Sequence, residues 1–188
     1  APGQEVMAQT AVMVGEDGTV EARFRIGLPA RGRRACGPAA VALLTTDVLA
    51  VVNQSLRAGS VGHEDIRRHA LTNEDASALR AELTVRSWVA FVAHGARLAR
   101  KSGVDDRPLL GEGAIPFSTP AGLTAEVDLP NAGKVNGMAI PRGVTLIVGG
   151  GYHGKSTLLR AIERGVYNHC YGDGREFVVT DPSAVKIR

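Results

Sequence analysis

The stretch that decides the fold is Ile-Val-Gly-Gly-Gly-Tyr-His-Gly-Lys-Ser-Thr, at residues 147–157. It matches the pattern GxxxxGK[ST], in which Gly149 and Gly154 are the fixed glycines and Lys155 is followed by the hydroxyl of Ser156. The run at 145–148 is apolar and rich in β-branched residues, and apolar residues recur at helical spacing from 158 to 162. The setting therefore predicts a strand, a loop and a helix in that order.

Each residue type in this pattern has a chemical reason. Glycines allow backbone conformations in which successive N–H groups surround an anion, and the helix that follows points its positive end at the same place. Lys155 is predicted to reach the β and γ phosphates of ATP as the catalytic lysine, and Ser156 to place its hydroxyl on Mg²⁺. The predicted cofactor-binding residues of the loop are Gly149, Gly150, Gly151, Tyr152, His153, Gly154, Lys155, Ser156 and Thr157. A glycine-rich turn that binds nothing is the alternative, but it gives no reason for the Lys-Ser pair.

Composition is that of an ordinary soluble globular protein. The 188 residues are 44% hydrophobic and 22% charged, and no apolar run reaches the roughly 18 residues that a membrane span requires. The net charge of +3 and the pI of about 9.1 give mild support for an anionic partner. Cys36 and Cys170 are predicted to be free thiols in a reducing compartment. His63 and His69 are predicted to be surface residues, because no second pair of ligands accompanies them.

The first half of the chain predicts a mixture of strands and helices. Apolar residues at 5–14 and alternation at 19–28, on either side of a turn at 15–18, indicate an antiparallel hairpin. Helical periodicity predicts a helix at 39–56, and the glycines at 59 and 62 end it. A short helix at 64–71 and a second at 74–85, capped by Thr72 or Asn73, come next. The apolar run at 88–93 predicts a buried strand, which a basic loop at 94–108 follows.

A proline- and glycine-rich loop at 29–38 carries Arg31, Arg33 and Arg34. Three arginines on one loop could contact the phosphates of RNA or DNA. A solvated loop and a contact to another domain remain the alternatives.

The second half predicts a hairpin before the phosphate loop. Alternating residues at 123–129 and at 134–140 flank a turn at 130–133, and the helix after the phosphate loop precedes a further strand at 177–180. The chain ends about thirty residues after Ser156, before any Walker B carboxylate, and we therefore expect it to be a fragment or the ordered part of a longer polypeptide. The predicted domains are residues 1–105 and 106–188.

Several motifs together resemble a known family. They are Lys-Ser-Thr-Leu-Leu-Arg-Ala-Ile at 155–162, Gly-Gly-Tyr-His at 150–153, Gly-Val-Tyr-Asn-His at 165–169, Gly-Asp-Gly-Arg-Glu at 172–176 and Leu-Pro-Ala-Arg-Gly-Arg-Arg at 28–34. These resemble the predicted ATPases of the ABC class, a family with bacterial members and a kinetoplastid mitochondrial RNA-binding member. The resemblance extends over residues 22–188. His94, Ala99 and the pair Cys170 and Tyr171 depart from the family pattern.

The resemblance implies an α/β protein in which an N-terminal α/β domain precedes the first half of an ABC-type P-loop ATPase core. It implies that ATP hydrolysis requires the full-length homodimer, with a Walker B acid, a catalytic glutamate and a signature motif that these residues do not include. This chain alone would then bind nucleotide weakly and hydrolyse almost nothing. An aromatic residue is expected to stack on adenine. Phe117 is in the right region for that role, although a core phenylalanine is the alternative.

Two functions are compatible with these features. One is an ATPase that acts on single-stranded RNA or a ribonucleoprotein, with Arg31, Arg33 and Arg34 as RNA contacts. The other is a regulatory or assembly ATPase with protein partners and no nucleic acid. A transporter subunit is less favoured, because about a hundred residues of soluble domain precede the phosphate loop. The family implies a cytoplasmic location for a bacterial member and the mitochondrial matrix for a kinetoplastid-type member, with no membrane partner.

Overall fold

The computed structural model describes residues 3–60, 62–111 and 113–187. The chain divides into two compact units, unit 1 being Ala1–Met7 with Arg68–Arg188 and unit 2 being Ala8–Arg67. The boundary that the sequence favoured, at 105/106, falls inside unit 1. The physical reason is that the strand Trp88–Ala93, before that boundary, pairs with two strands that follow it, Gly133–Pro141 and Val178–Thr180.

Unit 2 contains two small hairpins. β1 (Val12–Val14) pairs antiparallel with β2 (Val20–Ala22), which confirms the first predicted hairpin in shorter form. β3 (Ala30–Arg31) and β4 (Arg34–Ala35) form a second hairpin within the segment that was predicted to be a loop. Gly32 has φ of 59°, a left-handed conformation that suits a tight turn between paired strands.

The helix predicted at 39–56 is confirmed, with one irregularity. It consists of α1 (Gly37–Ala42), a π-helical segment (Leu43–Asp47) and α2 (Val48–Ser55), and Pro38 lies in its first turn, where a missing N–H costs no hydrogen bond. The predicted apolar stripe is largely exposed, as at Val41 and Leu44. None of the described residues of unit 2 is buried.

The helix break predicted at Thr72 and Asn73 is wrong. A single helix, α3, runs through His63–Val85. Thr72 is buried within it, and the Asn73 side chain accepts a hydrogen bond from Asn168 Nδ2 at 2.7 Å. Neither glycine nor proline interrupts the segment, so tertiary contacts outweigh the modest preference of these residues for a cap position.

Unit 1 is a four-stranded antiparallel sheet with a helix on each face. The strands are β5 (Trp88–Ala93), β6 (Thr124–Leu129), β7 (Gly133–Pro141) and β8 (Val178–Thr180), in the order β6-β7-β5-β8. A short 3₁₀ segment, Ala121–Leu123, precedes β6. All four strand predictions are confirmed, as is the predicted turn between β6 and β7.

The two faces of the sheet build two apolar clusters. On one face Phe91 of β5 packs with Leu79 and Leu83 of α3. On the other face Val92, the next residue of β5, packs with Ala161 of α4 (Lys155–Arg164), a helix that the sequence predicted. Because side chains alternate across a strand, β5 contributes to both clusters. Among the described residues, no helix combines the length and the apolarity needed to cross a membrane.

The strand predicted at 145–148 is not formed in the part of the chain that the structure describes. These residues pair with no described strand, and Val144, Leu146 and Val148 are exposed. Apolar, β-branched residues favour a strand only when neighbouring strands cover them, and β6, β7, β5 and β8 pair with one another instead.

Candidate functional site

The loop at 149–154 has the backbone conformation that its glycines predict. Gly154, which precedes the first residue of α4, has φ of 78°, and Gly149 has φ of 151°. Residues with a Cβ rarely adopt such angles, so both positions favour glycine. Tyr152 has φ of 61° and is fully exposed. A tyrosine in this left-handed region is strained by about 1–2 kcal/mol.

Lys155 lies across the loop that precedes it. Its ammonium group donates a hydrogen bond to the backbone oxygen of Gly149 at 2.6 Å and another to that of Gly150. The first N–H groups of α4 have no intrahelical partners, as at any helix start. A lysine ammonium, a helix N-terminus and a glycine loop therefore lie within eight residues of one another, which is the donor set that polyphosphate requires.

A cavity of about 630 Å³ brings the loop together with Phe117. Tyr152, His153, Gly154, Lys155 and Thr157 line it on the loop side. The backbone of Phe117 is fixed by two hydrogen bonds of 2.8 Å, which it makes with Gly95 and Ala96. Its ring is partly buried and packs against the apolar cluster on the α4 face of the sheet. Phe117 thus contributes both to the core and to the cavity wall.

The other predicted site residues have separate positions. Ser156 is exposed and lines a neighbouring cavity of about 320 Å³ with Lys155 and Leu159. Gly149, Gly150 and Gly151 form the loop backbone. Arg31, Arg33 and Arg34 belong to unit 2, where all three are exposed and Arg31 pairs with Arg34 across the β3–β4 hairpin.

Unit 1 also contains a buried ionic cluster that the sequence did not indicate, formed by Arg100, His169 and Asp173. Arg100 donates to both carboxylate oxygens of Asp173, at 2.8 and 2.6 Å, and its side chain is only 9% exposed. His169 is also buried, and its Nδ1 lies 2.8 Å from Asp173 Oδ2. Burial raises the pKa of Asp173, but the hydrogen bonds and charges of His169 and Arg100 outweigh it and hold the pKa below its usual value. The cluster joins the segment after β5 to the segment before β8.

Arg80 anchors the C-terminal end of α4. Its guanidinium donates to the backbone oxygen of Gly165 at 2.8 Å, to that of Thr180, and to Asn168 Oδ1 at 2.8 Å. A cation at this position complements the negative end of the helix. Burial lowers the pKa of Arg80, while the charge of Asp181 opposes that effect. The only sequence signal was a polar residue on the face of α3 that also carries Leu79 and Leu83.

Groups that bind transition metals are not assembled in the described part of the chain. No cluster of three or more His, Cys, Asp or Glu residues occurs there. Cys36 and Cys170 are free, as predicted, and burial raises the pKa of the Cys170 thiol. His63 is exposed and His69 half-buried.

Comparisons with known proteins match both parts of this sequence to ATPases of the ABC class. Residues 62–188 match the P-loop domain of ABC ATPases, and residues 1–59 match the N-terminal region described for ATPases of the ABC class. The chain is also 37% identical, over 114 residues, to the uncharacterized protein MJ1628 of Methanocaldococcus jannaschii. That alignment covers 57% of this chain and 25% of the relative, so the similarity concerns about a quarter of the relative's length.

Proposed function

The chain belongs to the ATPases of the ABC class, and on this premise we propose that residues 149–157 bind ATP with Mg²⁺ next to Phe117. The observation that carries the proposal is the cavity of about 630 Å³ that Phe117 shares with Lys155 and Thr157. The aromatic ring of Phe117 can stack on a nucleotide base. Lys155 and the N-terminus of α4 can bind a polyphosphate.

Three kinds of group at 149–157 support a nucleotide: the Lys155 ammonium, the N–H groups at the start of α4 and the Ser156 hydroxyl. When bound, Mg²⁺ would neutralise the charge that develops on the phosphoryl group transferred from ATP. The Lys155 ammonium exchanges the carbonyls of Gly149 and Gly150 for phosphate oxygens, which are stronger acceptors. The N–H groups at the start of α4 orient the same oxygens. The exposed Ser156 hydroxyl is the proposed metal ligand.

Phe117 is the proposed adenine contact. Its backbone is fixed by neighbours on both sides, so the ring costs little entropy to position. Stacking of a base on an aromatic ring contributes about 1–3 kcal/mol.

Hydrolysis is proposed to require a homodimer of the full-length protein. In ABC-class sites a signature motif from one subunit completes the nucleotide site of the other, a Walker B acid holds Mg²⁺ and a glutamate activates the attacking water. Residues 149–157 would supply the phosphate-binding part of such a site.

RNA is proposed as the substrate of the complete ATPase, through the β3–β4 hairpin. Arg31 and Arg34 are opposite each other across this hairpin, and like charges placed so are unfavourable without a counter-ion. A phosphate between them would relieve the repulsion. The alternative is a regulatory or assembly ATPase with protein partners.

Isothermal titration calorimetry with Mg²⁺ and a non-hydrolysable ATP analogue tests the nucleotide proposal. Lys155→Ala is expected to weaken binding by about tenfold or more, since a charge-assisted contact is lost. Lys134→Ala is the matched control, because its ammonium pairs with Glu126 on the surface of the β6–β7 hairpin. Equal affinity of the two variants would contradict the role of Lys155.

Phe117→Leu distinguishes the contribution of the adenine base to binding from that of the phosphates. We expect this substitution to weaken binding of the ATP analogue by about tenfold and to leave binding of pyrophosphate unchanged. A loss for both ligands would mean that Phe117 acts through the core.

A salt titration of single-stranded RNA binding tests whether RNA is the substrate. The RNA proposal is supported if binding weakens with salt and is lost when Arg31, Arg33 and Arg34 are changed together to Ala. No binding at low salt favours the protein-partner alternative.

A further inference from the structure

A second polar cavity lies beside the C-terminal half of α4. Its volume is about 290 Å³, and two carboxylates, Asp106 and Glu163, line it together with a larger group of cations, Arg100, Arg160, Arg164, Arg175 and Lys186. None of its lining residues belongs to the cavity shared by Phe117 and the phosphate loop. The nucleotide site therefore does not account for this concentration of cations.

Some of these cations have carboxylate partners. Lys186 lies 2.7 Å from Glu163, and Arg164 lies 3.6 Å from Glu5. Arg100, which also lines the cavity, pairs with Asp173. Arg160 is exposed, and neither it nor Arg175 forms an ion pair with the described residues. Two positive charges at this cavity thus have no direct ion-pair partner there.

Arg175 is an unusual group to leave without a counter-ion. It is only 3% exposed, and its guanidinium donates to the backbone oxygen of Leu98. Its Nε has no hydrogen-bond partner among the described residues. Burial and the nearby charge of Arg100 lower the pKa of Arg175 to about 10, although Asp173 and Asp106 oppose this. A buried cation is unfavourable unless an anion or several acceptors compensate it.

We propose that this cavity is a second anion site, which binds the phosphate monoester group of a small molecule through Arg160 and Arg175. Guanidinium groups suit phosphate because they can donate two parallel hydrogen bonds to it. A monoester is dianionic near neutral pH, and its three terminal oxygens can accept hydrogen bonds from both guanidinium groups, whereas the Asp106 carboxylate that also lines the cavity offsets only part of their charge. The volume is at the low end for ligand pockets, which favours a small molecule.

The site lies on the same helix as the phosphate loop. Arg160 is five residues from Lys155, about 7.5 Å along the helix axis. An anion bound by Arg160 would therefore contact the C-terminal half of α4, whose first turn is part of the proposed nucleotide site. The two sites are nevertheless separable by mutation, because they share no residue.

Calorimetric titration of inorganic phosphate into the whole chain tests the site. All proteins in the experiment carry Lys155→Ala, so that the phosphate loop contributes as little as possible. We expect saturable binding of one equivalent, and we expect Arg160→Ala to weaken it by about tenfold. Arg142→Ala is the control, since Arg142 is exposed and lines neither cavity. Arg160 is also exposed, so its loss leaves the core intact.

The outcomes separate the proposal from its competitors. Saturable binding that depends on Arg160 but not on Arg142 supports it. Heats that do not saturate and that are equal in all variants would reflect only the general interaction of phosphate with the protein surface and would overturn it. Tighter binding of a dinucleoside phosphodiester than of inorganic phosphate would overturn the monoester assignment and favour an RNA contact. Failure of this test leaves the nucleotide proposal untouched, because the phosphate loop is disabled throughout.

Discussion

The two ends of α4 differ in how they are held. At the C-terminal end, Gly165 accepts hydrogen bonds from Arg80 and from the Thr180 N–H, and the Thr180 hydroxyl donates to the backbone oxygen of Ile162 at 2.7 Å. At the N-terminal end, Tyr152 and His153 are exposed, and among the described residues Lys155 bonds only to carbonyls of the loop itself. The fold therefore anchors the C-terminal end of α4 by tertiary contacts, whereas the groups at its first turn remain available for the proposed nucleotide.

This contrast has a physical basis in the sheet. The anchoring contacts come from α3 and β8, whose residues are packed in the two apolar clusters. The loop at 149–154 contributes no residue to either cluster. Mutations of residues that contact the C-terminal end of α4 should therefore change the free energy of unfolding. Mutations in the loop at 149–154 should mainly change nucleotide binding.

The largest effect is expected from Asp173→Asn. This change leaves Arg100 buried without its partner, which should lower the free energy of unfolding by about 3–5 kcal/mol at pH 7. The pKa of Asp173 is lowered in the folded protein, so its contribution is present above the unfolded-state value of about 4 and is lost as the pH falls through the folded value.

The difference in the free energy of unfolding between wild type and Asp173→Asn should therefore be largest near neutral pH and should decrease below about pH 4. Urea unfolding at several pH values measures this difference. Asp128→Asn, on the exposed side of β6, is the control and should show no such gap. A gap that does not change with pH would contradict the ionic explanation.

Arg80→Lys should have an intermediate effect. A lysine ammonium cannot donate to Gly165, Thr180 and Asn168 in the geometry of a planar guanidinium, so we expect a loss of about 2 kcal/mol in the free energy of unfolding. Urea unfolding measures the loss, with the exposed Arg67→Lys on the same helix as control. If the two substitutions have equal effects, Arg80 does not anchor α4.

The smallest effect is expected from Tyr152→Gly. Glycine removes the steric strain at φ of 61° but adds freedom to the unfolded chain, and the side chain is fully exposed. We expect a gain of about 0.5 kcal/mol in the free energy of unfolding. Thermal unfolding by calorimetry measures it, with Tyr167→Gly as a control at a residue without positive φ. A clear loss would show that Tyr152 makes a stabilising contact.

The sequence predicted what short-range patterns determine. The helix α4, the β1–β2 and β6–β7 hairpins and the four strands of the sheet follow from local spacing, and the family resemblance is confirmed. The continuity of α3 was missed because the contact of Asn73 with Asn168 joins residues 95 apart. The pairing of Arg100 with Asp173, 73 residues apart, was missed for the same reason. The strand at 145–148 was overpredicted because strand pairing requires neighbours that composition alone does not specify.

We propose that residues 149–157 bind nucleotide at the N-terminal end of α4, a helix whose other end is anchored. Amide hydrogen exchange with and without Mg²⁺ and a non-hydrolysable ATP analogue is the most direct test. We expect slower exchange on binding at residues 149–158, little change at residues 161–165, and no slowing anywhere in this helix for Lys155→Ala. Unchanged exchange at residues 149–158, or equal slowing in the Lys155→Ala protein, would contradict the proposal.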